Sequence, residues 1–418
     1  MRVLFLCHNH PSLQAGGTEA FARSLFRELR DRHGVEGMFL AAVTAAHRER
    51  RPGTLLQAIG DAADEALLWL GHFDRFNLSQ PDSYGLASLA PMIAALKPDV
   101  VHVHHLLQLG VEMVDLVRRA APRARLVFTA HDFFPICAQE GQLLTTDRRL
   151  CPGPSLDRCL ACLPGRSGAD LVMRDLQLRQ VLAGFDRILT PGEFARGRYI
   201  AAGLPPAQLQ VMRNGIAAVP AAPPRPAPDG RRDRFGVFGN LNRFKGTLGL
   251  LDASRRLSAQ GVAHGVALHG GLAYQSEDFL GEFRAALDVA PDARHHGPYA
   301  AADLPARMAA VDWVVVPSIW WENAPLVIQE AFLHGRPVLC GDAGGMAEMV
   351  RDGVDGLHAP IGDPAGLAAA MRRAAATPGL WDALAGNIRP PVTIAAAAVA
   401  HLALYRDLLA RLPARRVA

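Results

Sequence analysis

PSIWWENAPLVIQEAFLHGRPVL, residues 317–339, carries the reading of the fold. Proline is tolerated in a first helical turn, where its missing N–H would be unpaired anyway. The apolar run behind Pro325 therefore reads as a helix near Leu326–His334, followed by a strand in PVLC (337–340). Upstream, DWVVVP (312–317) is a short β-branched run, so the stretch is one strand–helix–strand unit. The same alternation extends outward through FGVFGN (235–240), a helix near Thr247–Ala259, and GVALHG (265–270). It occurs again before residue 216, in RVLFLC (2–7), a helix over Thr18–Arg30, DVVHVHH (99–105), RLVFTAH (125–131) and DRILTP (186–191). Repeated strand–helix alternation predicts an α/β protein with doubly wound parallel sheets.

The two series are separated by PAAPPRPAPDG (220–230), where five prolines exclude a helix or a central strand. The expected organisation is a domain over 1–215, a linker over 216–230, a second domain over 231–390 and a final helix within 391–418. With 418 residues the chain has room for two domains. Half its residues are apolar, which excludes global disorder, and the net charge of +4 demands no nucleic-acid partner. RVLFLC is too short for a signal-peptide core and no run of about 18 apolar residues appears, so a cytoplasmic location is expected. Six cysteines without a sign of export point to a reducing compartment.

Several loops at strand ends carry chemistry. Gly16-Gly17-Thr18-Glu19 opens a helix, where free N–H groups and a close backbone approach suit a diphosphate; a tight turn capped by Thr18 is the plainer alternative. GNLNRFKGT (239–247) stands in the equivalent place of the second domain, with Arg243 and Lys245 as fixed positive charges. Glu322 falls in the loop before the helix and Glu330 within it. The loop carboxylate, beside the backbone of Asn323, Ala324, Pro325 and Leu326, can fix sugar hydroxyls, and the deeper one can take both hydroxyls of a ribose. His131-Asp132 ends a strand, and His102 and His104 share a face of another, with His105 beside them.

Cys137, Cys151, Cys159 and Cys162 lie within 26 residues and include a C-x2-C pair. They read either as a structural zinc site or as four unligated thiols, a partial iron–sulfur ligand set being a further alternative. Arg23, Arg27 and Arg30 lie on one face of the first helix. They form either a solvated face paired with Glu28 and Asp31, or a site for anionic lipid.

The run P-S-x-x-x-E-N-x-P-L-x-x-x-E-A resembles the E-x7-E signature of the retaining glycosyltransferases of family 4. Gly16-Gly17-Thr18-Glu19, Asn214-Gly215-Ile216, Arg243 with Lys245, and Gly344-Gly345-Met346-Ala347-Glu348 fall where that family has its own segments. The resemblance implies the GT-B fold, two Rossmann-like domains facing a central cleft, with the last helix returning to the first domain. It implies transfer of a sugar from a nucleotide-diphosphate sugar to a hydroxyl of a saccharide or lipid-linked acceptor, at the inner face of the cytoplasmic membrane or in the cytoplasm. Glu322 would face the donor sugar, Glu330 the ribose, and Arg243 and Lys245 the departing diphosphate, helped by the amides at Gly16 and Gly17. His131 would approach the sugar, and no metal is needed for catalysis. The cysteine-rich insertion departs from the simplest family members. A sugar-nucleotide epimerase and a non-catalytic nucleotide- or glycan-binding protein are the alternatives.

Overall fold

A computed structural model describes residues 1–411 apart from 15, 46, 47, 50, 52 and 61. The chain divides into two compact units, Met1–Ala217 with Val392–Ala418, and Ala218–Pro391.

The first unit is built on eight strands: β1 (Arg2–His8), β2 (Glu36–Val43), β3 (Leu56–Ile59), β4 (Ala62–Trp69), β5 (Val100–Val103), β6 (Arg125–Thr129), β7 (Arg187–Thr190) and β8 (Leu209–Val211). Their order is β3-β4-β2-β1-β5-β6-β7-β8. All neighbours are parallel except β3 and β4, which pair antiparallel at one edge of the sheet. The helix Gly17–His33 covers one face through Phe21, Ala22, Leu25 and Leu29. Against it lies the last helix, Ile394–Ala410, through Ala397, Ala398, Leu402 and Tyr405. Its first turn is capped by the Thr393 hydroxyl, which accepts from Ala396 N–H, and residue 393 pairs with Ile216. Residues 412–418 of the expected C-terminal segment lie outside the described residues.

The second unit holds β9 (Arg234–Phe238), β10 (Gly265–His269), β11 (Ala293–Gly297), β12 (Trp313–Val316), β13 (Val338–Gly341) and β14 (Gly356–Ala359). They are all parallel in the order β11-β10-β9-β12-β13-β14. Strand order reverses between β9 and β12 here, and between β1 and β5 in the first unit. Open α/β sheets bind ligands outside the carboxyl ends of strands at such a reversal.

The proline-rich segment does not hang free. Arg336 is buried and donates to the carbonyls of Ala222 (2.8 Å), Pro223 (2.5 Å) and Met308 (3.0 Å), while Arg225 pairs with buried Asp312 at 2.9 Å. Residues 218–230 are thereby tied to the second unit as a strap.

Candidate functional site

In the second unit the loops after β9 and β12 are clamped together. Ile319 N–H donates to the Phe244 carbonyl at 2.9 Å, and the Phe244 and Trp320 rings stack at 5.4 Å and 11°. Gly246 has φ +70°, and a Cβ there would lie 1.8 Å from the Pro317 carbonyl oxygen, so the close approach requires glycine. The clamp brings Lys245 Nζ to 2.6 Å from Glu322 Oε1, and the same oxygen accepts from Ser318 Oγ at 2.6 Å and Trp320 Nε1 at 2.8 Å. Burial pushes the Glu322 carboxyl up, but the lysine charge and these donors outweigh it and hold it below the usual carboxylate range. Behind the loop, Gly345 N–H donates to the Glu322 carbonyl at 2.8 Å, and a Cβ on Gly345 would stand 1.6 Å from the Asn323 carbonyl oxygen. The Gly344-Gly345 pair is thus the floor on which the acidic loop rests.

Arg243 turns elsewhere. Its guanidinium pairs with Glu282, on the helix Glu277–Asp288, at 2.7 Å and lies 5.8 Å from the Phe279 ring centre. The two basic residues, read as neighbours over one anion, therefore have different partners.

Glu330 lies on the helix Leu326–Leu333, behind Asn323, Ala324 and the N-cap Pro325. Burial pushes its carboxyl up to about 7. Tyr299 is within electrostatic reach of it. Arg307 lies 5.3 Å from the Tyr299 ring centre and 2.8 Å from His269 Nδ1, and His269 stacks on His296 at 4.7 Å. Buried His269 Nε2 and Arg307 Nε have no hydrogen-bond partner among the described residues. The sequence reading passed over His269, Tyr299 and Arg307. For His269 and Tyr299 the signal was position, since one ends β10 and the other follows β11 at the carboxyl edge of the sheet, whereas Arg307 lies within the helix Leu304–Ala309.

The first unit gathers histidines at the carboxyl ends of β1, β5 and β6. His104 Nδ1 and His131 Nε2 share a proton at 3.0 Å, and His105 bonds to Asp132. Asp132 is fixed further by Phe134 N–H at 2.9 Å. His131 is driven down to about 3, chiefly by burial, with Asp132 opposing. So weak a base is a neutral imidazole near neutral pH. His102 is a core group, bonded to Tyr405 Oη at 2.6 Å and Thr129 Oγ1 at 2.7 Å.

Gly16 is the N-cap of the helix Gly17–His33, and a Cβ on it would lie 2.3 Å from Glu19 Oε2. Glu19 thus folds its carboxylate back over the helix start, paired with His8 at 3.2 Å. The place read as a diphosphate cradle already holds an anion of the protein's own, and neither His8 nor the role of Glu19 was foreseen.

The arginine row on the same helix is also matched internally. Arg23 and Arg27 each lie 2.7 Å from Glu65, whose side chain is 0% exposed, and Arg30 reaches Asp64 at 2.8 Å and Asp31 at 2.7 Å. In place of the expected partner Glu28 stand the carboxylates of Asp64 and Glu65 on β4. No described helix is long and apolar enough to cross a membrane.

Residues 15–218 match the family profile described as Glycosyltransferase Family 4, and residues 232–377 the one described as Glycosyl transferases group 1. A D-inositol 3-phosphate glycosyltransferase of Actinosynnema mirum is 35% identical over 143 residues, which is 34% of this chain and 34% of that protein. One from Salinispora arenicola is 38% identical over 108 residues, 26% of this chain and 24% of the relative. The chain thus aligns with about a third or less of the length of these curated relatives. Among solved structures, sucrose-phosphate synthase from Thermosynechococcus elongatus superposes with TM-score 0.72 at 18% identity, covering 99% of this chain and 100% of that one. Anabaena HepE in complex with UDP and glucose gives TM-score 0.68 at 18% identity, covering 97% and 100%. The chain is a GT-B-fold protein made of a family 4-type glycosyltransferase domain followed by a group 1-type glycosyltransferase domain.

Proposed function

We propose that the protein is a retaining glycosyltransferase that moves a sugar from a nucleotide-diphosphate sugar to a hydroxyl of a saccharide or lipid-linked acceptor, in the synthesis of a cell-surface polysaccharide or glycoconjugate. The observation that carries this reading is the half-buried Lys245–Glu322 pair at the strand reversal of the second domain. An ammonium has three donors, and Lys245 spends one on Glu322, keeping two for a departing diphosphate. Glu322 directs Oε1 to its three donors, so Oε2 is the atom that accepts from the donor sugar. Glu330 takes the ribose hydroxyls, and the backbone of Asn323, Ala324 and Leu326 lines the same loop.

Stabilising the leaving group supplies the main catalytic contribution, on the order of 3 kcal/mol for one preorganised donor. The acceptor attacks on the face from which diphosphate departs, which retains the anomeric configuration without a covalent intermediate and without a metal. Arg243 joins Lys245 by exchanging Glu282 for the diphosphate, and Gly16 and Gly17 contribute amides once Glu19 withdraws. His131 orients the sugar as a neutral imidazole. The similarity to proteins solved with UDP and glucose, or with ADP and acarbose, supports a nucleotide-sugar donor.

A panel of nucleotide sugars with saccharide and lipid-linked acceptors tests the reading, with the product's anomeric configuration read by NMR. Lys245→Ala is expected to slow transfer at saturating donor, and Glu330→Ala to weaken nucleotide binding. Turnover of a donor to its epimer without acceptor, or unchanged transfer in Lys245→Ala, would overturn it.

A further inference from the structure

The cysteine-rich segment between β6 and the helix Gly168–Ala183 takes no part in the reading above. No disulfide joins Cys137, Cys151, Cys159 and Cys162, and all four line one cavity, with Leu143, Leu144, Pro154 and Leu163 filling its wall. Cys159 and Cys162 are three apart on the short helix Leu156–Cys162, one face of one turn. Cys137 and Cys151 come from the loop before it, where Leu143 links them. Leu143 N–H donates to Cys137 Sγ at 3.4 Å, and Cys151 N–H donates to the Leu143 carbonyl at 2.8 Å.

This loop carries little regular secondary structure. Its one β pairing is the isolated bridge Leu144–Leu150, and its backbone is left-handed at Glu140, Gly141, Leu143 and Arg148.

The second observation is a buried cation. Arg174 is 5% exposed, and its guanidinium donates only to neutral carbonyls, of Phe76 at 2.5 Å and Phe134 at 2.7 Å. No carboxylate among the described residues stands within ion-pair distance of it; Cys137 and Cys159 act on it most strongly, ahead of the carboxylates of Asp175 and Asp74. A buried charge without a close counter-ion is costly. Four neutral thiols supply no counter-ion; a tetrathiolate metal complex does.

We propose that Cys137, Cys151, Cys159 and Cys162 bind one zinc ion that staples this segment, with Arg174 as the fixed counter-cation. Binding releases four thiol protons to solvent and leaves a Zn(Cys)4 centre of charge −2, which Arg174 half neutralises. Among the described residues no three ligating side chains yet stand at coordination spacing. Zinc therefore closes the thiols inward from the cavity wall, toward Zn–S bonds of about 2.3 Å.

The test is metal analysis of the full chain purified without added zinc, paired with thiol alkylation counted by mass spectrometry. About one zinc per chain is expected, together with four thiols that resist alkylation until a chelator is added. Chelation should lower the melting temperature and open residues 133–163 to protease, and zinc should restore both. Cys159→Ser with Cys162→Ser should drop zinc below about 0.2 per chain; if that variant does not fold, the alkylation pattern of the natural protein decides. Zinc below about 0.2 per chain with no uptake on dialysis against zinc would overturn the proposal. So would iron with acid-labile sulfide, or a disulfide among the four in protein prepared under reductant.

Discussion

Neutralising Lys245 and neutralising Glu322 should have unequal effects on stability, because the two sides of the pair differ in access to water. The Glu322 side chain is 10% exposed and that of Lys245 is 35% exposed. Lys245→Met strands a buried carboxylate. Breaking a fully buried pair costs about 3–5 kcal/mol, and screening at the exposed lysine end lowers the expectation to about 2 kcal/mol. Glu322→Gln leaves a lysine that rehydrates, and the new amide oxygen still accepts from Ser318 and Trp320, so the loss should be about 1 kcal/mol. The double variant should cost about 1.5 kcal/mol, well short of the sum.

Denaturation followed by tryptophan fluorescence suits this measurement, since Trp313, Trp320, Trp321 and Trp381, four of the five tryptophans, lie in the second unit. Acidification sharpens it. Without the lysine, burial pushes the Glu322 carboxyl up against the Ser318 and Trp320 donors only, so it protonates at higher pH than in the natural protein, and the Lys245→Met penalty is present at high pH and shrinks as the group protonates. Additive single effects, a Glu322→Gln loss exceeding that of Lys245→Met, or a penalty that grows in acid would refute the reasoning.

Three further outcomes are expected. Because Glu330 titrates at about 7, nucleotide binding through its ionised oxygens should tighten as pH rises from 6 to 8, and Glu330→Gln should flatten that dependence; calorimetric titration with nucleoside diphosphate checks it. Glu65, drawn down to about 2 by His10, Arg23 and Arg27 against the pull of burial, contributes stability above its unfolded value of 4.5 and loses it as pH falls toward 2. The contribution is about 3 kcal/mol, and Glu65→Gln should show a shallower acid transition than the natural protein. Gly345→Ala must displace the Asn323 carbonyl; a loss of about 2–3 kcal/mol is expected, with a matching drop in turnover, whereas a silent substitution would mean that the acidic loop does not rest on this glycine.

What could be read from the chain, and what could not, divides along sequence separation. Runs such as RVLFLC and DWVVVP announce themselves because central parallel strands are buried on both faces and read as continuous apolar stretches. Ala293–Gly297 reads A-R-H-H-G and escapes notice, since an edge strand needs only its backbone to pair. The short β3, placed antiparallel, was equally silent. Motif positions at the carboxyl ends of strands were legible, but partners were not. Lys245 meets Glu322 across 77 residues, and Arg23 meets Glu65 across 42. Arg243 shows the converse, since a charge suited to an anionic ligand finds a carboxylate on the next helix, and nothing local signals that competitor.

The pairing of Ile216 with residue 393 has a consequence for how the protein is made. The chain leaves the first unit and re-enters it at neighbouring points, so the whole second unit is an insertion within one domain's covalent path. Tyr405, which bonds to His102 across 303 residues, is made only after the whole second unit. Until then the nascent sheet holds an imidazole with one nitrogen unpaired and an uncovered apolar groove beside the helix Gly17–His33. Completion of the first unit therefore waits for the segment that follows Pro391, while Ala218–Pro391 has everything it needs to mature first.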